Sequence, residues 1–322
     1  MKRRRNALTP DEVAAPAVVE AELIGDFNAA LDAFIRDCRI RNLSEHTIRF
    51  YRNELNTLRQ ILEKQGEDTN PQKITSRIIK ENVILYMMDE GRKETSINAR
   101  LRAARAFFNF LERERLIVIN PMEDVALVRQ KRSVIQTFTP QQIKALLAQP
   151  NQLTFTGLRD YTMLMLLFET GVRVKELVNI RVDDVKFDEG MIRIRDPKGT
   201  NERLVPFQSV MSKQLRKYMN VRGSLKTDYL FVTVDNTAIS IRVFQERMKE
   251  YGRLARITNV RCSPHTARHT FAKLSVLNGC DVFTLQKILG HTSLEMTKRY
   301  VEMFATDVSK SHRKFSPVER LF

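Results

Sequence analysis

The segment Leu289–Tyr300, LGHTSLEMTKRY, carries a tyrosine nine residues after a histidine, across a run that reads as helix. Gly290 is a typical residue past a helix end. Thr292 and Glu295 fit a capping box, which starts a new helix at about Ser293. Tyr300 then lies about 12 Å along the axis. Helical side chains lean toward the N-terminus, so its hydroxyl points back toward His291 and one phosphate could touch both. The alternative is a core tyrosine packed among Met296, Met303 and Phe304. A second stretch, CSPHTARHTFA from Cys262 to Ala272, opens with Ser263 and Pro264, a strong helix start. His265 falls in the first turn and Arg268 three residues on, on one face. A helix N-terminus bearing a His and an Arg is an anion pocket. His265 and His269 also have the spacing of a helical zinc pair. The zinc-hydrolase pattern needs a Glu after the first His, however, and that residue is Thr266. A third stretch, Phe168–Ile180, holds Arg173 and Glu176 just after Gly171, where the carboxylate can steer the guanidinium. Lys198, between Pro197 and Gly199, is the tip of a predicted hairpin.

The elements that must position these groups are mostly helical. Residues 1–22 read as a polar lead. Over residues 23–127 the apolar spacing is helical throughout. Ile48, Tyr51, Leu55, Leu58 and Leu62 form one stripe, with Ser44 as N-cap. Ile97, Leu101, Ala104, Phe107, Phe108 and Leu111 form another, with Asn98, Arg100, Arg102 and Arg105 assigned to its outer face. This predicts a small helical bundle. Residues 128–138, containing Arg129, Lys131 and Arg132, read as a basic linker. A second domain over 139–308 restarts with Thr139 as N-cap and Pro140 at the first helical position. Met163–Phe168 reads as buried helix. Asp184–Phe207 alternates as two or three short antiparallel strands, with Val185, Phe187, Ile192, Ile194, Leu204 and Phe207 as apolar positions. The fold class expected is mainly α with a small antiparallel sheet. Residues 309–322 form a tail carrying Phe315, Leu321 and Phe322.

Charge points to the partner. The 322 residues carry a net +16. From Thr139 onward the balance is +12, against +4 before it. Basic residues spread through folded segments favour a polyanion over a merely solubilised surface. Cys38, Cys262 and Cys280 are too scattered for a disulfide framework or a zinc site. No stretch is long enough to span a membrane and no apolar run follows the basic N-terminus, so a cytoplasmic protein is expected.

Taken together, TGVRVKEL, a lysine in the hairpin segment DPKGTNERLVPF, HTARH, LGHTS and the later tyrosine resemble the tyrosine recombinase/integrase family. The resemblance covers about Thr139 to Phe304, and the compact layout is Xer-like. Ala267 stands where many members carry Leu, which touches packing and not chemistry. The resemblance implies a catalytic set of Arg173, Lys198, His265, Arg268, His291 and Tyr300. Both arginines and His291 would hold the phosphate oxygens. Tyr300 would be the nucleophile, leaving a 3′-phosphotyrosyl link, and Lys198 would protonate the departing 5′-oxygen. His265 would accept the phenol proton, and Glu176 would orient Arg173. Neither metal nor nucleotide cofactor is implied, because the phosphotyrosine conserves the bond energy. The two domains are expected to form a C-shaped clamp on double-stranded DNA. Its candidate contacts are Arg41, Lys93, Asn98, Arg100 and Arg105 in front, and Arg129, Lys131, Lys175 and Arg203 behind. Four protomers would act on two duplexes, with the tail docking on a neighbour. Integration and excision of a mobile element is the expected task. The alternatives are Xer-type resolution of replicon dimers, a type IB topoisomerase-like activity and a DNA-binding regulator without chemistry.

Overall fold

The computed structural model describes residues 26–130, 136–195 and 202–304. The lead 1–22, Lys131, Arg132, the hairpin tip with Lys198 and the tail 309–322 lie outside the described residues. The chain divides into two compact units, Met1–Ser133 and Val134–Phe322. No described helix is long and apolar enough to cross a membrane.

The first unit is helical. It contains α1 (Phe27–Ile40), α2 (Glu45–Lys64), a short α3 (Ser76–Ile78), a π-helical stretch Ile79–Leu85, α4 (Tyr86–Asp89) and α5 (Glu94–Arg113). Asp26 and Ser44 cap α1 and α2 by accepting from the amides of Asn28, Ala29 and Thr47. The two predicted stripes meet in a core containing Leu55, Leu58, Leu62, Ile97, Leu101, Phe107 and Leu111. Each such side chain stabilises the fold by about 1.5–3 kcal/mol. Tyr51 is only half-buried, at the rim. The outer face assigned to α5 needs correction, because Asn98 and Arg100 are buried. Asn98 donates to the Val128 carbonyl and accepts from the Val128 amide, both at 2.8 Å, pinning the segment after the bundle. Arg100 grips Glu54 of α2 with Nε at 3.2 Å and Nη2 at 2.8 Å. Arg105 is partly buried and donates to the Val125 carbonyl. A polar side chain can face inward when a partner satisfies it, and polarity alone does not reveal the partner.

The second unit begins with α6 (Pro140–Leu147), whose cap Thr139 forms a full capping box with Gln142. Then come α7 (Phe155–Thr170), α8 (Val174–Val178), a 3-10 turn Val182–Asp184, and three strands: β1 (Val185–Lys186), β2 (Met191–Ile194) and β3 (Arg203–Pro206). Five further helices follow: α9 (Ser209–Arg222), α10 (Ile241–Leu254), α11 (Pro264–Leu277), α12 (Val282–Leu289) and α13 (Leu294–Phe304). The central helix α7 buries Leu158, Met163, Leu164, Leu166 and Leu167 and packs against α9 and α11. Asp160 on α7 is fully buried. It accepts from Arg159, from Arg247 and from the Tyr251 hydroxyl, which fastens α10 to α7.

The sheet is antiparallel in the order β1-β2-β3, and β2 pairs with β3 through Ile192↔Val205 and Ile194↔Arg203. Leu204, expected inward, is 52% exposed, whereas Val205 is fully buried. The pairing sets Val205 opposite Ile192 on the core face. Side chains alternate along a strand, so that register turns Leu204 outward and leaves Arg203 beside the helices.

Candidate active site

The site is organised by the end of a helix. Gly290 closes α12 in the left-handed conformation, with φ 64°. The last carbonyls of any helix lack intrahelical partners and carry the negative end of its dipole. Here three consecutive carbonyls each take a different guanidinium. Ile288 accepts from Arg203 Nε at 2.8 Å, Leu289 from Arg268 Nη2 at 2.8 Å, and Gly290 from Arg173 Nη2 at 3.2 Å. The LGH motif therefore brings arginines from three separate elements to one place.

Each arginine has a second anchor. Arg268, on α11 behind its Ser263 cap, donates from Nη1 to the carbonyl of Gly171 at 2.7 Å. Gly171 is the left-handed C-cap of α7, so this anchor too is an orphan helix-end carbonyl. Arg268 is only 6% exposed. Burial, with the nearby charges of Arg173 and Arg203, pulls its pKa down to about 10, while Glu176 opposes the fall. It remains a cation at pH 7, with unused N–H groups on its five-donor fork. Arg173 is the N-cap of α8. Its amide bonds Glu176 Oε2 at 2.7 Å and its Nη1 bonds Glu176 Oε1 at 3.0 Å.

Glu176 is the shared counter-ion. Arg203 donates to Oε1 at 3.0 Å and to Oε2 at 2.8 Å. Burial pushes the Glu176 carboxyl up, but the Arg203 and Arg173 bonds and charges outweigh it and hold the group below its usual range. Arg203, expected on DNA, makes its bonds to Glu176 and the Ile288 carbonyl within the protein and joins β3 to both α8 and α12. Its inward register on the strand is the physical reason.

Tyr300 lies on α13 and is 5% exposed. Its ring stacks on His291, with centroids 6.2 Å apart and planes 10° apart. Burial pushes the phenol up, and Arg268 and Arg173 pull it back down. His291 is itself buried, and its Nδ1 lies 2.8 Å from Oγ1 of Thr297, a fully buried residue one turn ahead of Tyr300. Burial first, then Arg268, Arg173, Arg203 and His269, bring His291 down to about 4. The ring is neutral at pH 7. When the Thr297 hydroxyl donates to Nδ1, the ring proton is on Nε2 and available to a ligand.

His265 and His269 have separate environments. His265 is exposed and lines a recess with Arg247, Arg253, Arg256 and Arg261. His269, one turn on, places Nδ1 2.6 Å from the Tyr300 hydroxyl. Sequence reasoning missed His269 and Thr297 as site residues, and named Arg203 only as a DNA contact and not as a partner of Glu176. The i, i+4 histidine pair was the available signal, but the partner that separates the two rings comes from α13. An open cleft of about 1100 Å³ lies over the site, lined by Arg173, Lys175, Glu176, Arg203, Gly290 and His291. Of the other expected DNA contacts, Arg41, Lys93, Arg129 and Lys175 are exposed. Among the described residues no cluster of His, Cys, Asp or Glu is arranged for a metal ion.

This arrangement presents guanidinium donors and a neutral imidazole beside a tyrosine hydroxyl. Such a set suits nucleophilic attack on a phosphodiester whose oxygens gain negative charge. The profile of the phage integrase family matches residues 136–306, and that of its N-terminal SAM-like domain matches residues 31–115. Tyrosine recombinase XerC of Thermodesulfovibrio yellowstonii is 30% identical, the alignment covering 86% of this chain and 92% of that one. XerC of Chlamydia caviae is 31% identical over 92% and 99% of the two chains, and XerD of Haemophilus influenzae 30% over 90% and 98%. In fold, the chain is similar to the Tn1549 transposon integrase solved with a circular intermediate DNA. That match has a TM-score of 0.72 and 20% identity, covering 90% of this chain and 99% of the other. It is also similar to a lambda integrase dimer bound to a core site, with a TM-score of 0.71 and 18% identity over 84% and 96%.

Proposed function

From the premise that this chain belongs to the phage integrase family and is a tyrosine site-specific DNA recombinase, we propose that Tyr300 is its nucleophile. The phenol oxygen attacks a DNA phosphate, a 3′-phosphotyrosyl link forms, and a 5′-hydroxyl leaves. The observation that carries this reading is the convergence of Arg173, Arg268 and the His291–Tyr300 pair around the C-terminus of α12. Arg173 and Arg268 hold the non-bridging oxygens with planar forks already braced by carbonyls, so little reorganisation accompanies the build-up of charge. His291 donates Nε2–H to the same group. Lys198 is the proposed acid for the leaving 5′-oxygen, and Glu176 with Arg203 keeps Arg173 aligned. The 5′-hydroxyl of another strand then attacks the phosphotyrosine, which reseals DNA without water or cofactor. Exposed Arg41, Lys93, Arg129 and Lys175 are the proposed phosphate contacts on double-stranded DNA, and four protomers assemble on two sites.

Integration and excision of a mobile element is the task we assign first. The end-to-end likeness to XerC and XerD proteins favours a second reading, Xer-type resolution of replicon dimers. The chemistry is tested on a duplex selected from a randomised library by binding and nicked at successive positions across its core. The wild type should form a denaturant-resistant adduct with it. Tyr300→Phe should bind as tightly, because phosphate contacts dominate affinity, yet form none. An adduct at wild-type level in Tyr300→Phe would remove Tyr300 from the role.

A further inference from the structure

We propose that His269, and not His265, is the base that takes the phenol proton when Tyr300 attacks DNA; this inference rests on the reading of Tyr300 as nucleophile. The geometry separates the two rings. His269 Nδ1 is 2.6 Å from the Tyr300 hydroxyl, a normal to short hydrogen bond. The ring centroids are 5.7 Å apart, with the planes inclined at 45°. His265 sits on the same helix face, one turn nearer the N-terminus, or about 6 Å along the axis. It is exposed and opens onto the recess lined by α10 side chains. A base must lie within hydrogen-bond reach of the proton it removes, and among the two histidines of α11 only His269 meets that condition.

The protonation states agree. His269 is partly buried, and burial holds its imidazole below the usual range, with the charges of His265 and Arg268 adding to the effect. To act as the base, the ring accepts through Nδ1, which puts its own proton on Nε2. Among the described residues, the charged or titratable groups around the pair include Arg268 and His265 on α11, His291 stacked on the far side of Tyr300, and Arg173 at the start of α8. Lys273, one turn beyond His269, donates to Oγ1 of Thr137 at 3.2 Å. The cations near the phenol favour its ionised form, so proton loss to His269 is assisted by Arg268 and Arg173.

In the step that follows, the bond from Tyr300 Oη to phosphorus forms as the bond from phosphorus to the 5′-oxygen breaks. The phenol proton passes to His269 Nδ1. The departing 5′-oxygen keeps the electron pair of the broken bond and takes a proton from an ammonium-type general acid. On resealing, a 5′-hydroxyl attacks phosphorus and gives its proton to the amine left by the general acid, the bond from phosphorus to Oη breaks, and Oη recovers its proton from His269. Proton balance closes within each strand exchange.

The test pairs His269→Gln with a fluorinated tyrosine at position 300, whose phenol is already ionised near neutral pH and needs no base. Single-turnover cleavage of the nicked duplex is measured for all four combinations, with DNA affinity and thermal melting as checks on folding. With ordinary tyrosine, His269→Gln should slow cleavage by about 10²-fold or more, the usual contribution of a positioned base. With the fluorinated residue the deficit should shrink to less than about tenfold, and His265→Gln should not show this rescue. An equal deficit with both tyrosines would make His269 a positioning residue and overturn the proposal. Unchanged cleavage by His269→Gln, or faster cleavage by His269→Ala, would overturn it too; the second result would show that the bond merely restrains Tyr300. Those outcomes leave the recombinase reading intact. That reading fails separately, and takes this inference with it, if Tyr300→Phe still forms the adduct.

Discussion

Replacing Arg203 by Met keeps most of its volume and removes three charge-assisted hydrogen bonds, two to Glu176 and one to the Ile288 carbonyl. The side chains of Arg203 and Glu176 are 14% and 15% exposed, so the pair is largely desolvated. Removing one partner of a fully buried pair costs about 3–5 kcal/mol. Glu176 keeps Arg173 as a counter-ion at 3.0 Å, and the residual exposure screens part of the effect, so about 2–3 kcal/mol is expected. In a domain of this size that lowers Tm by roughly 5–10 °C. Glu176, which still pairs with Arg173, loses the two Arg203 bonds that hold it in place, so Arg173 is less firmly aligned and cleavage should slow by about 10-fold to 100-fold. DNA binding should respond differently. A lost phosphate contact reduces the slope of log affinity against log salt by about 0.9, whereas an internal residue leaves the slope unchanged. Unfolding by heat, single-turnover cleavage and a salt titration of binding measure the three effects. An unchanged Tm with a slope reduced by about one would refute the internal role and return Arg203 to the DNA surface.

Gly290→Ala should lose about 1–3 kcal/mol by thermal unfolding. A side chain at φ 64° is strained by roughly 1–2 kcal/mol, and its Cβ would sit 2.8 Å from Arg203 Nη1. Cleavage should fall more than binding, because the three arginine anchors shift together. Arg268→Ala should slow cleavage by about 10²–10³-fold; Arg268→Lys should rescue it poorly, since one ammonium cannot hold the Gly171 and Leu289 carbonyls and a phosphate at once. For pH, the folded protein depresses His291 to about 4, so the unfolded chain binds its proton more readily. Stability from this group is complete above the ordinary histidine range and is lost as pH falls from about 6.5 toward 4. Denaturant unfolding across that range should show the slope in the wild type and a shallower one in His291→Gln.

The caps and breaks of this fold are local chemistry and were legible in the sequence. Ser44, Thr139 and Ser263 accept amide bonds at their helix starts, and Gly171 and Gly290 end α7 and α12. The apolar stripes of α2 and α5 follow directly from helical spacing. The chemically competent side chains were legible for the same reason, since their types and order carry the signal. What holds them was not. The carbonyls of Ile288, Leu289 and Gly290 have no sequence signature, so the gathering of three arginines at one helix end becomes visible only in three dimensions. Asn98, Arg100 and Arg203 were assigned to the surface because polarity was read as exposure, whereas Val128, Glu54 and Glu176 satisfy them inside. The same limit separates His265 from His269. Both fit the helix pattern, and the choice between them depends on where α13 delivers Tyr300.

The most direct measurement is the chemical identity of the protein–DNA adduct. The enzyme is incubated with the nicked duplex, the trapped complex is digested with protease and nuclease, and the modified peptide is sequenced by mass spectrometry. The account predicts one modified residue, Tyr300, carrying a nucleotide through a 3′-phosphate, with a free 5′-hydroxyl on the released strand. A modification on any other residue, a 5′-phosphate linkage, or strand cleavage without a covalent adduct would contradict it.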